Sequence, residues 1–338
     1  MKQIKVAVIG ASGFTGLELI KILINHPGFE LVYIANSEGG MNLNELHPSL
    51  KGVYDAEIKK ADAKEIASVA NLAFLALPHK TAMGFAKELL KLDVKVVDLS
   101  ADYRLELETY EKFYCKHTDK EHLKEAVYGL PEFFRKDIKN ANLVANPGCY
   151  PTATLLGILP FVKYLDKKYP VFIDAKSGVS GAGKKCTDKT HFVSIDENVF
   201  AYNPLMHRHE PEIKEKMRIV SGGISFDVNF IPHLLPLIRG EMCDIYTVLK
   251  EDIEPLSYLK EFYKNEKFIR VFDKPVEMKS VAGTNFCDIF VKKSGKKLYI
   301  CSTIDNILKG SSSGAVVNAN IMSGFKEDLG IPVIAYVP

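Results

Sequence analysis

The chain has 338 residues, 47% of them hydrophobic and 25% charged, with a formal net charge of +2. That length predicts about two domains around sizeable cores, and the near-balanced charge gives no support to a nucleic-acid or acidic-membrane partner. No apolar run reaches membrane length, residues 1–3 lead into a strand-like segment without a secretory apolar stretch, and the six cysteines form no Cys-x-x-Cys pair or His-rich cluster. The expectation is a cytoplasmic protein without disulfides or a bound metal, acting on a small molecule.

Residues 5–9 form a β-rich run, followed by Gly10-Ala11-Ser12-Gly13-Phe14-Thr15-Gly16 and a helical pattern through Leu17, Leu19, Ile20, Leu23 and Ile24. His26-Pro27-Gly28 stops that helix and residues 29–35 read as a second strand, so the first unit is βαβ with parallel strands. Residues 73–77 and 94–97 add buried-strand candidates with a helix over 81–92 between them, which is the doubly wound pattern of a Rossmann domain. The short run 143–145 breaks at Pro147-Gly148, and a helix is predicted to start on Cys149, with Pro151 suited to its first turn. Beyond it, strand candidates at 171–175, 226–231, 243–249, 286–291 and 298–304 are joined by fewer helices, predicting an α+β domain on a mixed or antiparallel sheet. A last helical stretch, 313–322, is assigned back to the first domain. The predicted boundaries are therefore 1–147 plus about 312–338 for the first domain and 148–311 for the second.

Three glycines at the βα turn, Gly10, Gly13 and Gly16, suit a tight turn, close phosphate approach and close helix packing. Between a first strand and a first helix they point to a dinucleotide pyrophosphate, although a ligand-free turn uses the same residues. At the end of the second strand Asn36-Ser37 replaces the acid of an NAD-specific site, while Glu38 opposes a 2′-phosphate and no Lys or Arg is adjacent in sequence; NADP is permitted but not demanded. Cys149, with a helix's first N–H groups behind it, is expected to favour the thiolate, against the commoner fate of cysteine as a small buried hydrophobe. A nucleophilic sulfur together with a nicotinamide narrows the chemistry to aldehyde-level redox through a thioester.

The remaining groups are supplied by three stretches. Met206-His207-Arg208-His209-Glu210-Pro211-Glu212 offers two imidazoles for acid–base work, unless it is a solvated loop. Arg104, in Asp98-Leu99-Ser100-Ala101-Asp102-Tyr103-Arg104, follows a strand at its carboxyl end and suits a two-pronged phosphate contact, with Asp102 orienting it; a surface ion pair is the competing reading. Residues 176–184 are a small-residue loop suited to close approach of a phosphate or nicotinamide, or simply flexible.

The ordered set of these motifs resembles the N-acetyl-γ-glutamyl-phosphate reductases of arginine biosynthesis, within the aspartate-semialdehyde dehydrogenase-like superfamily. It runs through residues 10–16, Ala76-Leu77-Pro78-His79, residues 98–104, Tyr128-Gly129-Leu130-Pro131-Glu132, residues 146–152, 177–184 and 207–212, and Asp305-Asn306-Ile307-Leu308-Lys309-Gly310. The resemblance covers nearly the whole chain. It implies Cys149 as acyl-enzyme nucleophile, His207 as base, and Arg104, His209, Glu212 and Arg239 as substrate contacts. It implies NADP(H) as cofactor, contacted by Gly10, Ser12, Gly13, Phe14, Thr15, Gly16, Ser37, Pro78, Ser180, Gly181 and Asn306. The implied partners are an acyl phosphate and inorganic phosphate, in a homodimer or homotetramer.

The stretch Ser37-Glu38-Gly39-Gly40 departs from members with basic residues there, which weakens a strict NADP preference. A reductase of N-acyl-aminoadipyl or N-succinyl-glutamyl phosphate stays open, since one methylene or an altered acyl cap is discriminated only modestly. Outside this class, a dinucleotide sensor would leave Cys149 without use, and a cofactor-free Cys–His hydrolase would leave the glycine turn without one.

Overall fold

A computed structural model of the chain describes residues 3–336. The chain divides into two units, the first formed by residues up to Pro147 with Ser311–Pro332, the second by Gly148–Gly310 and the tail from Val333. No helix among the described residues is long and apolar enough to cross a membrane.

The first unit carries strands β1 (Ile4–Ile9), β2 (Phe29–Asn36), β3 (Met41–Asn42), β4 (Glu57–Lys60), β5 (Leu72–Leu75), β6 (Lys95–Asp98), β7 (Val127–Tyr128) and β8 (Leu143–Ala145), in the order β3-β4-β2-β1-β5-β6-β8-β7. Every pairing is parallel except that of β3 with β4. Val6, Ala7, Val8 and Ile9 are all fully buried. Burial on both faces is why these strands read as continuous apolar runs instead of alternating ones. The helix Ser312–Met322 belongs to this unit, where Asn318 donates to the Gly129 carbonyl at 2.9 Å and to Asn146 Oδ1 at 3.0 Å.

The second unit is a seven-stranded sheet of β9 (Val171–Gly178), β10 (Phe200–Ala201), β11 (Val228–Leu235), β12 (Glu241–Val248), β13 (Ile269–Phe272), β14 (Cys287–Ser294) and β15 (Lys297–Ile304), in the order β10-β11-β9-β12-β15-β14-β13. It is mixed: β9 with β11 and β13 with β14 are parallel, the rest antiparallel. The helix Cys149–Ile158 packs on β12 and β15 and is buried throughout after its first residue. The opposite face leaves Phe172 and Tyr246, directly paired across β9 and β12, about half exposed.

Three details depart from the sequence-based expectation. β9 runs three residues further, to Gly178, because antiparallel pairing with β12 carries the ladder on through Lys176 and Ser177. The short strands β3, β4, β7, β10 and β13 were not anticipated, being too brief to show a period. The tail from Val333 groups with the second unit, not the first: Tyr336 donates its N–H to the Ala282 carbonyl, and its ring lies where a side chain on Gly283 would project.

Candidate active site

Gly10 takes φ +100, and a Cβ there would meet the Ala76 carbonyl oxygen at 2.1 Å. Gly16 is equally constrained, with its missing Cβ 2.2 Å from the Gly10 oxygen, so two of the three glycines let strand, turn and helix close on one another. Gly13 differs, since its side is open apart from one atom at 3.9 Å. It caps the helix Phe14–Leu23 without any side-chain hydrogen bond, so backbone N–H groups of the first turn face an uncovered approach. That cradle fits a dinucleotide pyrophosphate.

Around it, Ser12 Oγ accepts from Asn36 Nδ2 at 3.1 Å, while Asn36 Oδ1 accepts the N–H groups of Glu38 and Gly39 and shapes the Ser37 turn. The Thr15 carbonyl accepts from Ser312. Phe14 is over a third exposed, and the Pro78 carbonyl accepts from Thr81 and Ala82 to start the helix Ala82–Lys91. The sheet also supplies what local sequence lacks: β4 lies beside β2, with Lys60 opposite Asn36.

Arg104 is buried, its Nε donating to the Asn146 carbonyl at 2.7 Å and its Nη2 to the Leu99 carbonyl at 2.8 Å, which fixes the guanidinium plane. Asp102 braces a neighbouring turn. That carboxylate accepts the N–H groups of Lys80 and Met83 and the Tyr110 hydroxyl, bracing the turn before the helix Ala82–Lys91. Asp98, wholly buried beneath the segment, accepts both the N–H and the hydroxyl of Ser100, and burial pushes its carboxyl up to about 7.

In the second unit Cys149 is the first residue of its helix, with Gly148 as N-cap in extended geometry. Glu212, 1% exposed, accepts the Gly148 N–H at 3.1 Å, which ties its carboxylate to the turn that carries the nucleophile. The chain crosses Cys149 closely enough that a Cβ on Gly310 would lie 2.7 Å from that of Cys149.

Around the Cys149 thiol, effects of both signs meet. Burial, and then the charge of Glu241, push the thiol well above its ordinary range, outweighing the Tyr150 N–H that favours the anion. Glu241 was missed from sequence, where its one signal is an acid opening the apolar strand after Arg239-Gly240.

His207 and His209 lie close, their ring centroids 4.7 Å apart, where the chain turns into the helix His209–Val220. Both pack edgewise on Tyr150, whose hydroxyl donates to the His233 carbonyl and accepts from Tyr202. Burial, aided by Arg208, lowers the His207 imidazole to about 4. Its Nδ1 accepts the His209 N–H at 3.2 Å, so the neutral ring carries its proton on Nε2. Arg239 sits 3.5 Å from the buried Asp305 carboxylate.

Asn306 accepts the Gly240 N–H and donates to Ser180 Oγ, tying the Ser180-Gly181 turn to the start of β12. Lys176, expected in a phosphate-approach loop, belongs to β9 instead and pairs with Asp174 and Asp244.

The semialdehyde dehydrogenase NAD binding domain matches residues 5–141, and the semialdehyde dehydrogenase dimerisation domain matches residues 149–306. An N-acetyl-gamma-glutamyl-phosphate reductase of Sulfurovum sp. is 59% identical, covering 99% of this chain and 100% of its own. The protein of the same name from Sulfurimonas denitrificans is 58% identical over the full length of both. Among solved structures, aspartate semialdehyde dehydrogenase II of Vibrio cholerae, complexed with ASA, superposes with a TM-score of 0.73 at 16% identity, over 96% of this chain and 99% of its own. A likeness at that identity shows the fold. With both domain models spanning most of the sequence and full-length relatives above half identity, the chain belongs to the N-acetyl-gamma-glutamyl-phosphate reductases, on the semialdehyde dehydrogenase fold.

Proposed function

We propose that this protein reduces N-acetyl-γ-glutamyl phosphate to N-acetyl-glutamate 5-semialdehyde and inorganic phosphate with NADPH, through a thioester on Cys149. The observation that carries the mechanism is a thiol at the start of a buried helix, in the same unit as the His207–His209 pair. The Cys149 sulfur attacks the acyl carbon, the bond from that carbon to the phosphate oxygen breaks, and phosphate leaves with that electron pair and the proton given up by the thiol. Arg104, its plane held by two carbonyls, binds the departing phosphate. Bound NADPH supplies the hydride that reduces the thioester. His207 presents Nε2–H to the substrate oxygen, giving that oxygen its proton and taking it back as the carbon–sulfur bond breaks. His209 and Arg239 are substrate contacts, and Glu212 holds the nucleophile's turn.

The cofactor is proposed to be held by Gly10, Ser12, Gly13, Phe14, Thr15 and Gly16 at its pyrophosphate, with Ser37 at the adenosine end and Pro78, Ser180, Gly181 and Asn306 toward the nicotinamide. A preference for NADP over NAD is supported by Lys60, whose place opposite Asn36 puts a cation beside the strand end where a 2′-phosphate sits. A homodimer or homotetramer in the cytoplasm completes the reading. The exposed Phe172–Tyr246 face of the second sheet, beside a depression of about 380 Å³ reaching Tyr169 and Tyr299, supports association through that sheet.

The test is phosphate-dependent NADP reduction with N-acetyl-glutamate 5-semialdehyde, using wild type and Cys149→Ser. The serine variant is expected to lose turnover while binding cofactor within a few-fold of wild type, because its hydroxyl has a far higher pKa and is a poorer leaving group. Substantial retained turnover sinks the thioester mechanism.

A further inference from the structure

His47 follows the short helix Leu43–Leu46, which a capping box between Asn42 and Glu45 starts, and it is turned inward, 7% exposed. Its Nε2 lies 2.7 Å from the Ala11 carbonyl oxygen, in the glycine turn between β1 and the helix Phe14–Leu23. A carbonyl oxygen can only accept, so the ring carries a proton on Nε2. The residue is itself held at both backbone groups, its N–H donating to the Leu43 carbonyl at 2.8 Å and its carbonyl accepting from Leu50 at 3.0 Å.

Most of the turn's other polar groups are engaged as well. Gly10 and Ala11 both donate to the Ala35 carbonyl, at 2.8 and 3.0 Å, and Asn36 donates to Ser12 Oγ at 3.1 Å. The Ser12 N–H differs, having no acceptor among the described residues. It belongs to the same peptide group as the Ala11 carbonyl. That group is planar and trans, so its N–H points opposite to its C=O. Whatever holds the carbonyl therefore aims the N–H.

We propose that His47 is a positioning residue of the cofactor site: by holding the Ala11 carbonyl, it presents the Ser12 N–H to the dinucleotide pyrophosphate. This rests on the glycine turn being the pyrophosphate site. Without the imidazole a fully buried residue is left with a carbonyl that has lost its partner, and rotation of the Ala11–Ser12 peptide is the way to find another. That rotation turns the N–H away from the phosphates and the oxygen toward them, exchanging an attractive dipole for a repulsive one.

A brace that merely held the fold together would act on the whole cofactor half when removed. The pyrophosphate contact is narrower. Adenosine 2′-monophosphate carries the adenosine end of NADP and lacks the pyrophosphate, so it reports on the neighbouring subsite without using the Ser12 N–H. Glutamine in place of His47 keeps an N–H donor that can reach the same carbonyl, whereas alanine removes it.

The experiment is titration of the full-length protein with NADPH, followed by its fluorescence, and competition by adenosine 2′-monophosphate, for wild type, His47→Ala, His47→Gln and Gly13→Val. His47→Ala is expected to weaken NADPH about tenfold, as for one lost hydrogen bond to a charged group, while the fragment stays within about twofold. His47→Gln is expected to regain most of the lost affinity. Wild-type NADPH affinity in His47→Ala overturns the proposal, as does an equal weakening of NADPH and fragment, or a glutamine variant no better than alanine. If the His47 variants fail to fold, nitrogen-15-labelled wild type decides: the Ser12 amide resonance is expected to move with NADP and to stay with the fragment, and an amide unmoved by NADP overturns the proposal. Gly13→Val tests the underlying reading by itself, since a Cβ there meets only the Gly10 oxygen at 3.9 Å and the side chain enters the open side of the turn. Undiminished NADPH binding by that variant removes the pyrophosphate site, an outcome distinct from any effect at His47.

Discussion

Gly310→Ala adds one methyl group under the nucleophile. The new Cβ would lie 2.7 Å from the Asn306 carbonyl oxygen, 2.7 Å from Cys149 Cβ and 3.0 Å from Cys149 Cα. Carbon atoms rest about 3.5–4.0 Å apart, so something must move by about 1 Å. These neighbours are backbone and the first side-chain atom, which cannot swing aside as the end of a long side chain would. Overpacking of this kind costs about 1–3 kcal/mol of stability. The larger effect falls on rate, because misplacing a reacting atom by about 1 Å costs on the order of a hundredfold. Three measurements are required together: kcat in the phosphate-dependent oxidation of the semialdehyde, cofactor affinity by titration, and urea unfolding. The expected pattern is a kcat lowered by about two orders of magnitude, cofactor affinity near wild type, and a modest loss of stability. A folded variant with wild-type kcat would refute the reasoning, since the helix start would then shift without displacing the sulfur from its working position.

His207→Asn is expected to lower kcat by roughly two to four orders of magnitude, and His209→Asn mainly to raise KM; the opposite assignment in paired pH–rate profiles would exchange the two roles. Lys60→Ala should raise the KM for NADPH while leaving that for NADH nearly unchanged, and an equal effect on both would remove Lys60 from the 2′-phosphate site. Asp98 and Glu241 should make thermal stability fall as pH rises, a decline opposed by His207 between about 4 and its ordinary 6.5 and therefore clearest above about 6.5. Asp98 and Glu241 keep their protons in the folded chain up to about 7 and about 8, whereas the unfolded carboxyls release theirs near the ordinary values of 3.8 and 4.5. The stabilisation is complete below the ordinary carboxylate range and is lost as pH rises through the folded values, by up to about 1.4 kcal/mol per pH unit per group. Glu241→Gln should flatten the part of this decline that extends to pH 8, and a Tm profile identical to wild type would contradict it.

The order of chemistry along this chain was readable because it depends on local rules. The Gly10, Gly13 and Gly16 spacing is dictated by backbone contacts within one βα turn, and the apolar runs of β1, β2, β5 and β6 follow from burial on both sheet faces. The Pro147-Gly148 break fixes where the Cys149 helix begins. Motif wording then carried the family resemblance. Long-range pairing and electrostatics decided the rest. Lys60 stands opposite Asn36 only because β4 adds to the edge of β2, a partnership between segments more than twenty residues apart that no periodicity announces. Glu212 meets the Gly148 N–H, 64 residues away in sequence, only because the fold brings its helix to the nucleophile's turn. The helix start on Cys149 argued for a thiolate, a local effect correctly signed. Only the tertiary structure adds the opposing effect of burial, which pushes the same thiol up against the pull of a few backbone N–H groups.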